Sequence, residues 1–203
     1  ELIIGEPTDT NSLRTVLDAF WQSLQELSKR PEEQAVRSTV RQQGIILAET
    51  INHTCDQIQD VKNSIEAEIN AAVGQINTIA HQIASLNERI GKIVAIGNEP
   101  NDLLDQRDLL TGKLSKIINL SIVEDEMRRA HITVGGRTLV ITDKVNEIHT
   151  DINYDEGGKL DIYWPGGEIV DITNGNLKGL MEVKDEVIPG FFGRLDEFAV
   201  ALI

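Results

Sequence analysis

Between Pro31 and Pro100 the chain contains no proline. Nothing in that span forces a helix to stop, because proline is the residue that removes a backbone donor and clashes with the preceding turn. Cysteine is nearly absent. Cys55 stands alone, so no internal disulfide can form. Aromatic residues make up only 4% of the 203 residues, which leaves the core to aliphatic side chains. Positive charge is scarce: 19 Lys and Arg face 33 Asp and Glu, a formal net charge of −14. That balance argues against nucleic acid and against anionic membrane surfaces as partners.

Other absences narrow the function. No apolar run approaches the roughly 20 residues of a membrane span. The start, Glu1-Leu2-Ile3-Ile4-Gly5-Glu6-Pro7, has neither the basic region nor the apolar region of a secretory signal. The missing initiator Met, and an end at Ala201-Leu202-Ile203 inside an amphipathic pattern, read as a piece of a longer protein. There is no phosphate-binding Gly-rich loop, no nucleophile elbow and no His-Glu-x-x-His. Neither catalysis nor a cofactor is expected.

What is present is a heptad. Ile69, Ile76, Ile83 and Ile90 occupy one core position, and Ile65, Ala72, Ile79, Leu86 and Ile93 the other. The steps alternate four and three, the mark of a helix with one continuous buried seam. Upstream the pattern continues more weakly through Lys62, Ile58, Cys55, Ile51 and Ala48. A helix from about Glu33 to Ile96 is predicted, roughly 95 Å long at about 1.5 Å per residue. A compact domain of this length has a radius of gyration near roughly 17 Å, so the chain is expected to be a rod at least in part. One flank of the seam carries Val73, Ala80 and Val94, the other Glu68, Gln75, Gln82 and Arg89. The wide apolar stripe and isoleucine at both core positions favour a bundle of the chain's own helices over a self-paired parallel dimer.

A first helix spans about Asn11 to Lys29, with Val16, Leu17, Phe20, Leu24 and Leu27 as its stripe and Asn11 or Ser12 as cap. The long helix ends at Gly97-Asn98. A third helix follows from about Asp102 to Ile118, with Leu103, Leu110, Leu114 and Ile117 on one face. After Asn119 the period becomes two. Ile132-Thr133-Val134, Gly135-Gly136 and Arg137 to Ile141 read as a hairpin. Gly157-Gly158 divides Ile152-Asn153-Tyr154 from Leu160 to Trp164, and Pro165-Gly166-Gly167 turns into a strand Glu168 to Ile172. A helical pattern returns with Leu177, Leu180 and Met181, then Ile188, Phe191, Leu195, Phe198 and Leu202. Pro189 is tolerated there if Asp185 is the cap. The expected class is α+β, mostly α: an elongated antiparallel helical bundle with one very long helix, plus a small antiparallel β-meander. The domains are a helical bundle over 1–119, a β-meander insertion over 120–173, and a C-terminal helix over 174–203 returning to the bundle.

Few residues suggest chemistry. His53 and His81 fall on the outer face of the long helix, where solvation outweighs metal ligation. Asp102, Asp105 and Asp108 form the best carboxylate spacing for a metal, but for Asp102 and Asp105 capping of free N–H groups at a helix start is the stronger reading. No metal site is expected. Cys55 lies on the seam and reads as inert packing. Arg107 shares a stripe with Leu103, Leu110 and Leu114. It either anchors to a carboxylate or carbonyl, or reaches out to solvent.

The string Asn101-Asp102-Leu103-Leu104-Asp105-Gln106-Arg107-Asp108 resembles the signature of the flagellar hook-associated protein 1 family, FlgK. The flanks resemble it too: Glu6-Pro7-x-Asp9 with Leu13, Phe20-Trp21-x-x-Leu24-Gln25-x-Leu27-Ser28, Ala35-Val36-Arg37, and Ile76-Asn77-x-Ile79-Ala80-x-Gln82-Ile83-Ala84-x-Leu86-Asn87. So does the later block Gly179-Leu180, Asp185-Glu186, Pro189-Gly190 and Leu195-Asp196, with Lys184 where the family commonly has Arg. The related filament-side junction protein shares the assembly and is one alternative. A chemoreceptor-like sensor module, which also uses long heptads, is another. The resemblance implies a central fragment of a non-enzymatic subunit that forms a ring between hook and filament. The implied partners are other copies of itself, hook protein, the filament-side junction protein and, through parts absent here, an export chaperone. Location in the extracellular flagellum after type III export is implied as well. The eight motif residues, together with Ile65, Ile69, Ile76, Ile79, Ile83, Leu86, Ile90 and Ile93, are then structural.

Overall fold

The computed structural model describes residues 12–154 and 159–202. The Glu6–Asp9 block, a cap at Asn11 and the Gly157-Gly158 turn lie outside them. The chain is α+β and mostly helical, with one very long helix and small antiparallel sheets. Its helices are α1 (Leu13–Lys29), α2 (Gln34–Ala95), α3 (Asn101–Ile117), α4 (Asn176–Glu182) and α5 (Ile188–Ala201). Among the described residues, six strands lie between α3 and α4: β1 (Ser121–Glu124), β2 (Ala130–Val134), β3 (Arg137–Ile141), β4 (Lys144–Val145), β5 (His149–Asn153) and β6 (Lys159–Tyr163). Two compact units divide the chain: residues 1–63 with 188–203, and residues 64–187. This cut falls inside α2, not at the 119 and 173 boundaries drawn from periodicity.

In the first unit, Ser12 caps α1 through its hydroxyl, which accepts from the Thr15 N–H at 3.3 Å. Phe20 of α1 lies against Gly44 of α2. The buried positions of α2 in this unit are Leu47, Thr54 and Ile58. Cys55 is half-buried and Ala48 is exposed, so the seam does not run straight back through both. A straight helix drifts by about 20° per heptad, and three heptads before Ile69 the inner face is met by Leu47, not Ala48. Buried Thr54 stays satisfied by donating to the Thr50 carbonyl at 2.8 Å.

In the second unit the seam is shut almost completely. Ile69 is 1% exposed, and Ile76, Ile83 and Ile90 are 0%. Its partners differ from the expected all-helical set. Between Ile69 and Ala84 the seam packs on Ile132, Val134, Leu139, Val140, Ile148 and Ile162 of the sheet region, with Leu114, Ile117 and Leu177 from α3 and α4. Only Leu86 and Ile90 form a cluster with the helical residues Leu103 and Leu104. Heptad periodicity states that a face is buried, not what buries it.

Local signals explain the connections. Gly97, at φ +81°, closes α2: its N–H bonds the Val94 carbonyl at 2.9 Å while Asn98 N–H reaches Ile93 at 3.2 Å. Gly135 and Gly136, both at positive φ, make the two-residue turn from β2 to β3. The strands form two antiparallel sheets, one of order β1-β2-β3-β4 and one of β5-β6. The strand expected over Glu168–Ile172 is reduced to a single bridge, Tyr163 to Ile169. The Asp171 carbonyl and Thr173 N–H are instead taken by the side chain of Asn119. Nor does Asp185 cap a new helix. Val183–Val187 form a π-helical turn that follows α4 without a break in the chain. Pro189 has no N–H for the Asp185 carbonyl and its ring would press on it, and a wider turn opens the ladder at that point.

Candidate functional site

The motif Asn101–Asp108 builds the first half of α3. Asn101, Asp102, Asp105, Gln106 and Asp108 are exposed, whereas Leu103, Leu104 and Arg107 are buried. The two leucines therefore close the far end of the α2 seam. Capping by the aspartates is not what starts the helix. Pro100 is the N-cap, with no side-chain cap bond, and its carbonyl accepts from Leu103 and Leu104. Asp102 contributes as an acidic charge in the first turn. The three aspartates do not converge, since Asp108 turns to Arg107. Among the described residues no group of three His, Cys, Asp or Glu side chains is placed to hold a metal ion.

Arg107 is 3% exposed and fully engaged. Nη1 donates to the Arg128 carbonyl at 2.7 Å, Nη2 to Glu124 Oε1 at 2.5 Å, and Nη2 and Nε both reach Asp108 Oδ1. The guanidinium thus grips the hairpin turn between β1 and β2 by one carboxylate and one main-chain oxygen. Asp125 holds the same turn from inside. Its Oδ1 accepts the N–H groups of Met127 and Arg129, both at 2.9 Å, and its Oδ2 the Arg129 Nε at 2.7 Å. Burial by itself would raise the Asp125 carboxyl. Hydrogen bonds from the Arg129 backbone and side chain and from His131 outweigh it and hold the group below the ordinary carboxylate value. Arg128, at φ +57°, is kept in a conformation that arginine rarely adopts.

Three asparagines fasten other main-chain segments. Asn87, 0% exposed, accepts from the Ala130 N–H at 2.9 Å and donates to the Ala130 carbonyl at 2.7 Å and the Thr142 carbonyl at 2.9 Å. Asn77 does the same for Ile148, receiving its N–H at 3.1 Å and bonding its carbonyl at 2.8 Å. Asn119 links Asp171 and Thr173 as described. Near Asn77, the exposed His81 reaches Glu147 at 2.6 Å and Asn70 meets Thr150 at 2.5 Å. Sequence reasoning assigned no role to these asparagines. The signal was available for Asn87, because an amide between Leu86 and Ile90 on an apolar stripe must find partners.

Chemically the arrangement joins backbone to backbone. Every buried side-chain nitrogen or oxygen among the described residues has a partner. An open cleft of about 310 Å³ between Ile169–Ile172 and the end of α4 is lined by apolar side chains, by the carboxylates of Asp171, Glu182, Asp185 and Glu186, and by Lys178. Among the described residues no helix is long and apolar enough to cross a membrane.

The family profile described as "Flagellar hook-associated protein FlgK helical domain" matches residues 1–203. Flagellar hook-associated protein 1 of Bacillus subtilis (strain 168) is 40% identical over 115 residues, which are 57% of this chain and 23% of that protein. The protein of the same name from Escherichia coli (strain K12) is 28% identical over 207 residues, 96% of this chain and 37% of the relative. The solved structure of the flagellar hook junction protein FlgK from Burkholderia pseudomallei covers 88% of this chain and 34% of its own, with a TM-score of 0.74 at 25% identity. The chain spans well under half the length of each of these relatives.

Proposed function

Because the chain belongs to the FlgK helical-domain family, we propose that it is the central part of a structural subunit at the junction between flagellar hook and filament. The observation that carries this reading is the family match along all 203 residues. The site chemistry supports it, since the motif side chains hold main chain in place and bring no reactive groups together. In this reading the subunit works as a mechanical part, not an enzyme. Other copies of itself, hook protein and the filament-side junction protein are its neighbours in the extracellular flagellum, and an export chaperone handles regions outside this chain. The residues Asn101–Asp108 act by locking the β1–β2 hairpin to α3, and the seam from Ile65 to Ile93 is the spine that carries load.

Genomic deletion of residues 12–202 from the parent gene tests the proposal. Cells should keep their hooks but release unattached filament protein into the medium, visible by electron microscopy and immunoblotting. Retention of full-length attached filaments and normal swimming would overturn it.

A further inference from the structure

Asn174-Gly175 is the one Asn-Gly dipeptide in the chain. It sits at the entrance to α4, with Asn174 exposed. The second residue has to be glycine. Its φ is +93°, and a Cβ there would lie 2.5 Å from the Ile117 carbonyl oxygen and 2.8 Å from the Ile118 nitrogen. With no side chain to cover it, the Gly175 amide nitrogen lies directly against the Asn174 carboxamide and donates to its Oδ1 at 2.7 Å. Groups that the fold already holds in contact react as an intramolecular pair and not by chance encounter.

The geometry points to Asn174 as a site of self-modification, deamidation through a cyclic imide. The Gly175 nitrogen attacks Asn174 Cγ and forms a new C–N bond. The amide proton and the Nδ2 group leave as ammonia, and a five-membered succinimide remains. Water then opens the ring. Attack at the side-chain carbonyl gives aspartate. Attack at the former main-chain carbonyl breaks the original peptide C–N bond and gives isoaspartate, in which the chain runs on through the side-chain carbon. Nothing is oxidised or reduced, and water is the only co-reactant. Either product adds a negative charge, and isoaspartate also adds a methylene to the main chain just where Gly175 is seated against Ile117. Asn77, Asn87 and Asn119 differ in kind: the first two lie within α2 with their amides bonded to the main chain of Ile148, Ala130 and Thr142, and Asn119 is committed to Asp171 and Thr173.

The test is incubation of the full-length protein at mildly alkaline pH, followed by peptide mass spectrometry and enzymatic isoaspartate labelling. Residue 174 should convert ahead of every other asparagine, with isoaspartate as the larger product. Asn174→Gln should abolish the signal while leaving circular dichroism unchanged. In the converted wild type, hydrogen exchange across α4 should quicken. Two results would overturn the assignment: an intact Asn174 when another asparagine has already converted, or conversion at 174 that occurs only after unfolding in urea.

Discussion

Asn87 stands in for the next rung of the ladder beyond Ala130. Its amide exchanges two hydrogen bonds with the Ala130 main chain, at 2.9 and 2.7 Å, and sends a third to Thr142 on the strand-turn opposite. The β2–β3 pairing is registered through Ile132 and Val140. Past that point α2 itself supplies the hydrogen bonds that a strand would. A helix and a sheet are thereby joined through polar groups at a fully buried point, where an error in placement would leave three main-chain groups unpaired.

Removing that amide should be expensive. Asn87→Ala leaves the Ala130 N–H and carbonyl buried without partners and the half-buried Thr142 carbonyl without its donor, and a loss of about 2–4 kcal/mol in urea denaturation is expected. Asn87→Asp keeps the shape but has no donors and carries a charge, so it should be at least as damaging at neutral pH. A change under about 0.5 kcal/mol, the range of an ordinary surface substitution, would show that the bracket contributes nothing.

Arg107 offers a sharper comparison because its partners are a carboxylate and a carbonyl. Arg107→Ala strips Glu124 and the Arg128 carbonyl of their donor together, but Glu124 is 41% exposed and water can serve it, so a loss of about 1–3 kcal/mol is expected. Arg107→Lys retains charge but cannot serve both acceptors and Asp108 from one plane, so it should recover only part of the loss. If the two side chains act as a pair, Arg107→Leu with Glu124→Leu should cost less than the sum of the two single changes. Losses that simply add would mean that the two side chains do not act as a pair.

Much of this was legible in the sequence. The helix ends at Lys29 and near Ala95 follow from Pro31 and the Gly97-Asn98 pair, and the β2–β3 hairpin from Gly135-Gly136. The identity of the seam's partners was not legible, because Ile69, Ile76 and Ile83 look the same to a helix or to a sheet. The Glu168–Ile172 segment alternates like a strand, yet Asn119, some fifty residues earlier, captures its main chain. Pro189 looked like the start of a helix because a π-helical turn has no signature in a single sequence. At the candidate site, the motif marked Arg107, while Glu124, Arg128 and the bracketing asparagines belong to pairings of long sequence separation that periodicity does not encode.

Asp125 should leave a signature in acid. Its folded-state pKa lies below the ordinary carboxylate value, so the folded protein binds this proton less readily than the unfolded chain. The stability it contributes is therefore complete above about pH 4, the unfolded value, and is lost as pH falls through the lower folded value. Asp125→Asn should flatten the decline of stability on acidification below about pH 4. Urea midpoints for the variant that fall in parallel with wild type across that range would remove Asp125 from the account.

The seam provides the last test, and it separates burial within one chain from burial between chains. Ile83 is completely enclosed by residues of its own chain, among them sheet and α3 side chains. Ile83→Val should cost about 1 kcal/mol, and Ile83→Ala about 2–5 kcal/mol, depending on how far the cavity collapses. Ile79, 4% exposed on the same face, is the place for a charge: Ile79→Asp buries an unpaired carboxylate and should prevent folding at neutral pH. If the seam were instead an interface between copies, these variants would shift the sedimentation profile with protein concentration while each chain stayed folded. A concentration-independent loss of helical circular dichroism is the expected result, and a folded Ile79→Asp chain would contradict it.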